Sequence, residues 1–557
     1  MGFAIFRLIP REYRAKGVLV VVTSVVRALL DVVGLAAMIA ILPLIVAPGG
    51  FAENRWLSGI YNALGFTSER AFVWVACGVI VVVIALKGVL SLLISRFQNV
   101  YMMSLYRHYS QAMLEGYYRR GLLYIKGRNT AKLAFEVNIT SMNYVQGVLM
   151  SVASMTSDGV LIVLMFASIT LYSPVAALFV FAVFTPLAFI YIQSIRGRLQ
   201  DYGKRENELR RKQARIVQET FKGYSEIEIT GAFPQLDAEF EQGLQKISWL
   251  RRTVLVIQQT PTVIIETGIA LALVVLVFLR VDAILLGVFG VVALRMLPAV
   301  KNMITSWITI RNNRYAEGIV EEAMRVLPSA PDSDSTERMP FRNTIVVDDV
   351  SFGFEGSASP VIDHLSLTIR KGERVGIKGA SGGGKTTLFN LLLGFYPPLS
   401  GEILVDGVSI EGANRRKWQN IVGYVPQEVF VMDSTIAENV AMGGEIDRER
   451  VLRAIETARL GDFVAGLADG IDTHIGEGGA RLSGGQKQRL GIARALYTRA
   501  EVLFFDEATS ALDSATESEI NASIRELSDT HSEITIIIIA HRESSLSFCD
   551  RIIEIGR

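Results

Sequence analysis

Three short runs hold residue types whose spacing suits phosphate chemistry. Gly379-Ala380-Ser381-Gly382-Gly383-Gly384-Lys385-Thr386 follows an apolar run and precedes a helical pattern. In that setting glycines let backbone N–H groups converge on an anion at a helix N-terminus, where negative charge is favoured. Lys385 adds a point charge for the β and γ phosphates, and the Thr386 hydroxyl, with Thr387 beside it, suits a Mg²⁺ shell. A mere glycine-rich turn would need neither the strand nor the helix. The second run is Asp506-Glu507, closing the apolar stretch Val502 to Phe505. Asp506 can hold Mg²⁺ there and Glu507 can take a proton from an attacking water. Two adjacent carboxylates can also form a solvated turn, but the buried strand and Lys385 favour catalysis. His541 follows another apolar run, Ile534 to Ile539, and can contact a γ-phosphate, although a lone histidine is more often structural. The third run, Leu482-Ser483-Gly484-Gly485-Gln486, is a further Gly-rich element between the first two.

The elements that must position these groups read as an α/β domain. Strands are expected at Thr344 to Val347, Arg374 to Lys378, Val502 to Phe505 and Glu533 to Ile539, as short apolar runs suited to a sheet covered on both faces. The polar, Pro/Ser-rich stretch Pro328 to Pro340 marks a linker, which separates a first domain, 1–327, from this one, 341–557. The chain ends at Arg557, inside what resembles the domain's final strand, so a short C-terminal piece is expected to follow.

The first domain is too apolar for water. Half of the 557 residues are hydrophobic and the mean hydropathy is positive. A span needs roughly 20 mainly apolar residues, and Gly17 to Val46, Ala71 to Ile94, Val145 to Tyr172, Pro174 to Ile195, Val254 to Leu279 and Ala283 to Ile304 qualify. The first is too long for a cleavable signal and is expected to stay as an anchor. Loops 96–144 and 196–253 are rich in Arg and Lys, whereas those on the other side hold Arg55, Arg70 and Arg280, which places both termini in the cytoplasm. Helical periodicity continues into the long loops, with turns expected near Tyr124 to Asn129 and Gly223 to Pro234. Trp56, Leu57, Ile60, Tyr61 and Leu64 share a helical face, fit for an interfacial helix or an ordinary packed one. A net charge of +1 gives no sign of a nucleic-acid partner. Cys77 and Cys549 lack metal-ligand spacing and read as buried thiols.

Collectively, the phosphate loop, Leu482 to Gln486 and Asp506-Glu507 resemble the ABC transporter family over essentially the whole chain. The resemblance implies an α-helical membrane domain with six transmembrane helices of the exporter type, followed by an α/β P-loop ATPase domain. It implies ATP and Mg²⁺ as cofactors, hydrolysis coupled to transport, and a second copy of the chain as partner. By that resemblance Ser483, Gly484, Gly485 and Gln486 cap ATP held by the other copy. Gln427, in Tyr424-Val425-Pro426-Gln427, matches the loop that senses Mg²⁺ and touches the membrane domain; Glu477 matches the exporter-type loop before the signature, and Ser510 to Asp513 the D-loop. Phe354 stands where the family usually has tyrosine against adenine, and keeps the stacking face. With every catalytic position filled in one chain, a homodimer would have two equivalent sites.

A charge at the centre of a membrane helix costs roughly 2.5–3.5 kcal/mol on insertion scales. Arg27 and Asp31, four apart, can neutralise each other. Asp158, Glu266, Lys87 and Arg295 have no such local partner and are expected to face the bundle interior. Arg295 and Lys301 flank Pro298, about 120° apart on an ideal helix. With Lys87 they can line a site for an anionic headgroup; pairing with Asp158 or Glu266 is an equal alternative. The acidic residue in span one, the external segment and Leu294 to Pro298 resemble flippases of lipid-linked oligosaccharides, a family tied to protein glycosylation. That implies a lipid-linked oligosaccharide moved across the cytoplasmic membrane among membrane lipids. Thr262 and Asn302 stand where that family would place further basic residues. The alternative cargo is a lipid A-like lipid or a hydrophobic drug.

Overall fold

Helices longer than a bilayer is thick dominate the first half of the chain. The computed structural model describes residues 9–46, 61–63, 66, 68–172, 174–278, 283–325, 335–357, 359–380, 382–507, 514–530, 532–540 and 542–555. The long helices are α1 (Arg11–Val46), α2 (Glu69–Arg119), α3 (Met150–Tyr172), α4 (Pro174–Lys222), α5 (Phe233–Phe278) and α6 (Ala283–Asn312). At 1.5 Å per residue, the 51 residues of α2 reach about 75 Å, against a hydrocarbon core of about 30 Å. The expected helical extensions are therefore present. Each apolar segment read from the sequence overlaps one of these helices. Among the described residues four stretches have the length and hydropathy to cross a membrane: Arg11–Gly34, Ala71–Arg119, Thr130–Ser168 and Phe233–Val275. Trp74, Val81 and Leu92 on α2 are exposed, as lipid-facing side chains are.

Both expected turns contain short helices. Gly121–Lys126 and Thr130–Phe135 occupy the first, and Asn129 caps the second of these by accepting from the Lys132 N–H. Tyr224–Thr230 occupies the other turn and stops at Gly231, whose φ of 64° suits a residue without a Cβ. The approach to α3 departs from the sequence reading, with π-helical stretches at Glu136–Thr140 and Asn143–Leu149. Periodicity does not signal such widened turns. Buried Glu136 sits in the first, accepting from the Tyr117 hydroxyl at 2.8 Å and from Arg211 at 3.1 Å. Tyr109 and Tyr144, both fully buried, meet edge to face nearby. Between α1 and α2, Tyr61 packs on Phe66 and Phe72, while Trp56, Leu57, Ile60 and Leu64 lie outside the described residues.

By internal contacts the chain divides into 1–120 with 124–326, and 121–123 with 327–557. The second unit holds two sheets. One is antiparallel, in the order β2 (Ile362–Arg370), β1 (Thr344–Phe352), β4 (Ser400–Val405), β5 (Val408–Ser409). The other is parallel, in the order β6 (Val422–Val425), β7 (Val502–Asp506), β8 (Thr535–Ile539), β3 (Arg374–Gly379), β9 (Arg551–Ile555). Every residue of β7 and β8 is buried, as expected of strands covered on both faces. Cys549 is half-buried rather than enclosed, and burial pushes its thiol up to about 11.

Asp406 and Gly407, with φ of 48° and 82°, make the two-residue turn between β4 and β5. The Asp406 carboxylate also accepts main-chain N–H groups of Arg342, Asn343 and Thr344, tying the start of β1 to that turn. Partial burial raises its pKa, but the three N–H bonds outweigh this and leave it below the ordinary value. A depressed carboxylate stabilises the fold above its unfolded pKa, and that stabilisation is lost as pH falls through the folded one. Asp406→Asn is therefore expected to melt lower than the parent near neutral pH, with the gap closing as the pH drops below about 4. Melting curves across that range check it, and a gap that does not change with pH would contradict it.

Candidate nucleotide site

β3 leads into the phosphate loop and then into α7 (Lys385–Leu392). Two glycines are fixed there by sterics. A Cβ at Gly379 would lie 2.3 Å from the Ile555 carbonyl oxygen on β9, and Gly384 has φ 89° with Ile362 2.9 Å from a Cβ. The loop thus curls between β9 of the parallel sheet and β2 of the antiparallel one. Lys385, buried, donates from Nζ to the carbonyls of Gly379 and Ala380, both at 3.0 Å. An ammonium has three donors, so one is left for a phosphate oxygen. Gly382, also at positive φ, is exposed, Gly383 is partly exposed, Thr386 is exposed and Thr387 buried. Ser381 lies outside the described residues.

The acidic edge comes from β7, paired in register with both neighbours. Asp506, buried, is opposite Ile539, and the Tyr424 hydroxyl lies 3.5 Å from its Oδ2. Burial first, and then the Asp506 charge, raise the Tyr424 phenol well above its ordinary value, so it stays a donor. Glu507 turns out of the strand at φ 48°, its N–H donating to the Ile539 carbonyl at 3.0 Å. Its carboxylate accepts from Gln427 Nε2 at 3.0 Å, and the Gln427 carbonyl accepts from Gln488 Nε2 at 2.7 Å. The fold therefore brings Asp506, Glu507 and Gln427 together, suited to a hard cation and a water nucleophile.

Tyr424 and Gln488 were not singled out from the sequence. Gln488 did carry a signal, because it lies four residues before Ile492 on the buried face of α8 (Gly484–Tyr497), where a polar side chain needs a partner. In the Leu482–Gln486 run Ser483 caps α8: its Oγ accepts from the Gln486 N–H at 3.3 Å, and Gln486 Oε1 accepts from the Ser483 N–H at 2.8 Å. This reciprocal cap sets the open end of α8, with Ser483 and Gly484 exposed and Gly485 partly so, and first-turn N–H groups have no acceptor within their own helix. Phe354, 41% exposed, is held by T-shaped contacts with Phe352 and Tyr396. His541 and Ser510 to Asp513 lie outside the described residues.

In the membrane-spanning half the local pairing that spacing allows for Arg27 and Asp31 is not the one formed. Asp31 pairs with Lys87 across α1 and α2 at 2.5 Å, while Arg27 donates to Ser95 Oγ at 3.4 Å. An interhelical partner satisfies Asp31 better than the local one, and Lys87 meets neither Asp158 nor Glu266. Gln98 extends this polar seam by donating to Ser24 Oγ at 3.0 Å. Glu266 is exposed rather than turned inward, and Asp158 is half-buried. Lys301 is half-buried and makes no ion pair among the described residues; the Arg295 side chain lies outside them.

Residues 362–510 match the family model described as ABC transporter. An ATP-dependent lipid A-core flippase of Burkholderia orbicola (strain AU 1054) is 42% identical over 236 residues, 42% of this chain and 38% of that one. The flippase of the same description from Burkholderia pseudomallei (strain 1710b) is 33% identical over 440 residues, 76% of this chain and 72% of that one. A solved bacterial Atm1-family ABC exporter with ATP bound superposes with a TM-score of 0.77 at 23% identity, covering 96% of this chain and 93% of that one, a likeness of fold. The chain belongs to the ABC transporter family, as an exporter-type half-transporter. It is an ATPase whose hydrolysis is coupled to transport.

Replacing Glu507 with Gln keeps the shape and removes the carboxylate expected to serve as base. Steady-state ATPase is expected to fall by about 10²–10⁴-fold while nucleotide is still retained. Turnover near the parent's rate would remove Glu507 from that role.

Proposed function

We propose that two copies of this chain pair in the inner membrane, six crossings each and termini in the cytoplasm, to move a lipid A-like amphipathic lipid from the inner to the outer leaflet. One observation carries the cargo: the 440-residue match to a lipid A-core flippase is longer than the ATPase domain, so the similarity runs well into the membrane domain. In the cycle, Lys385 and the phosphate-loop N–H groups bind ATP, with adenine against Phe354. Thr386, Asp506 and Gln427 would hold Mg²⁺, which supplies charge neutralisation at the phosphates. Ser483, Gly484, Gly485 and Gln486 of the other copy close over the γ-phosphate beside His541, and Glu507 takes the proton of the attacking water.

A lipid-linked oligosaccharide is the second reading, and it rests on Lys87, Arg295 and Lys301 as headgroup cations. The Lys87–Asp31 pair weakens it, because a neutralised lysine attracts a pyrophosphate less than a free one. Reconstitution into vesicles separates the two. With ATP, a lipid A-type glycolipid is expected to become accessible in the opposite leaflet, and Lys385→Ala is expected to stop it. Movement of a lipid-linked oligosaccharide with none of the lipid A-type lipid would reverse the assignment.

A further inference from the structure

Two concavities meet where the apolar run of α5 begins. One is a polar cavity of about 310 Å³, lined by Asn143, Asn207, Asn312 and Tyr315 among others. The second is a groove of about 500 Å³, lined along α5 by Leu244, Ile247, Leu255 and Val256. Arg210 of α4 and Arg251 of α5 line both.

The cavity is built from buried amides. Asn207 and Asn312 are 2% and 7% exposed, and Asn312 Oδ1 has no donor among the described residues. A buried acceptor without a donor is completed by a water or by a ligand hydroxyl. The charge is cationic: Arg210 is paired with Glu206 at 2.8 Å, but Arg251 and its neighbour Arg252 make no ion pair among the described residues. The location is amphipathic, because Val254 opens the apolar run just after Arg251 and Arg252, at the level where lipid phosphates lie in the proposed orientation. Arginines that merely meet bulk headgroups would need no cavity of buried amides beside them.

We propose that the paired concavities bind one anionic phospholipid or phosphoglycolipid of the cytoplasmic leaflet. Its phosphate lies against Arg251 and Arg252, which make no ion pair among the described residues, its headgroup hydroxyls meet Asn312 and Asn143, and an acyl chain follows Leu255 and Val256. The site deepens the lipid-transport reading and rests on it for the class of ligand. It lies apart from Lys87, Arg295 and Lys301.

The test uses the full chain in phosphatidylcholine nanodiscs, titrated with phosphatidylglycerol brominated on its acyl chains. Trp249, half exposed on α5 between Ser248 and Arg251, reports by quenching, and subtracting the Trp249→Phe signal isolates it. Saturable quenching is expected, its midpoint raised about tenfold by Arg251→Ala and also raised by Asn312→Asp, with Arg251→Lys recovering most of the affinity. Soluble glycerol phosphate should not compete. Quenching that is linear and equal in the parent and Arg251→Ala would mean bulk lipid only and overturn the site. Competition by glycerol phosphate would overturn the lipid assignment. Absent quenching with cross-linking of Arg251→Cys between copies would make the groove a protein interface and overturn it as well. Saturable quenching without transport of a lipid A-type lipid leaves the site standing and the cargo reading fallen; transport without saturable quenching does the reverse.

Discussion

The parallel register of β6, β7, β8, β3 and β9 is the constraint on which the nucleotide chemistry depends. It places Gly379 at the end of β3 against Ile555, and Asp506 at the end of β7 against Ile539, so the phosphate loop and the acidic pair emerge from the same edge of one sheet. Ligands of open α/β sheets sit outside the carboxyl ends of the strands. The register holds because β7 and β8 are buried along their whole length, so a one-residue slip would turn apolar side chains and ladder bonds out of place together.

From that edge each group has a definite support. Lys385 is braced by two loop carbonyls, Glu507 by Gln427, and Gln427 by Gln488 from the helix that Ser483 caps. The capped end of α8 and the acidic edge are therefore mechanically joined within one ATPase domain, through Gln488 and Gln427. A shift of α8 on closure with another copy would be felt at the Gln427 carbonyl, one residue's length from the side chain that contacts Glu507.

The parts of this site set by local pattern were legible in the sequence. Gly379 to Thr386, Asp506-Glu507 and Leu482 to Gln486 carry their chemistry in consecutive residues, and the apolar runs at β3, β7 and β8 announced the sheet. What was not legible depends on which element packs against which. Tyr424 and Gln488 become site residues only because β6 lies beside β7 and α8 lies under the Gln427 loop. The same limit explains the membrane charges. Spacing made Arg27 the natural partner of Asp31, whereas the packing of α1 on α2 gives that place to Lys87. The π-helical turns before α3 escaped for a related reason, since the buried Glu136 network that accompanies them draws on three separate helices.

Under the proposed pairing, Lys385 and Glu507 of one copy share an ATP with Ser483 and Gly485 of the other. Mixing two inactive variants tests this most directly: Lys385→Ala, which spoils the phosphate loop, and Gly485→Asp, which spoils the capping surface. Co-assembled, they retain one intact composite site, so ATPase activity is predicted to reappear in the mixed dimer although each variant alone has none. A mixed dimer as inactive as its parents would contradict the shared site.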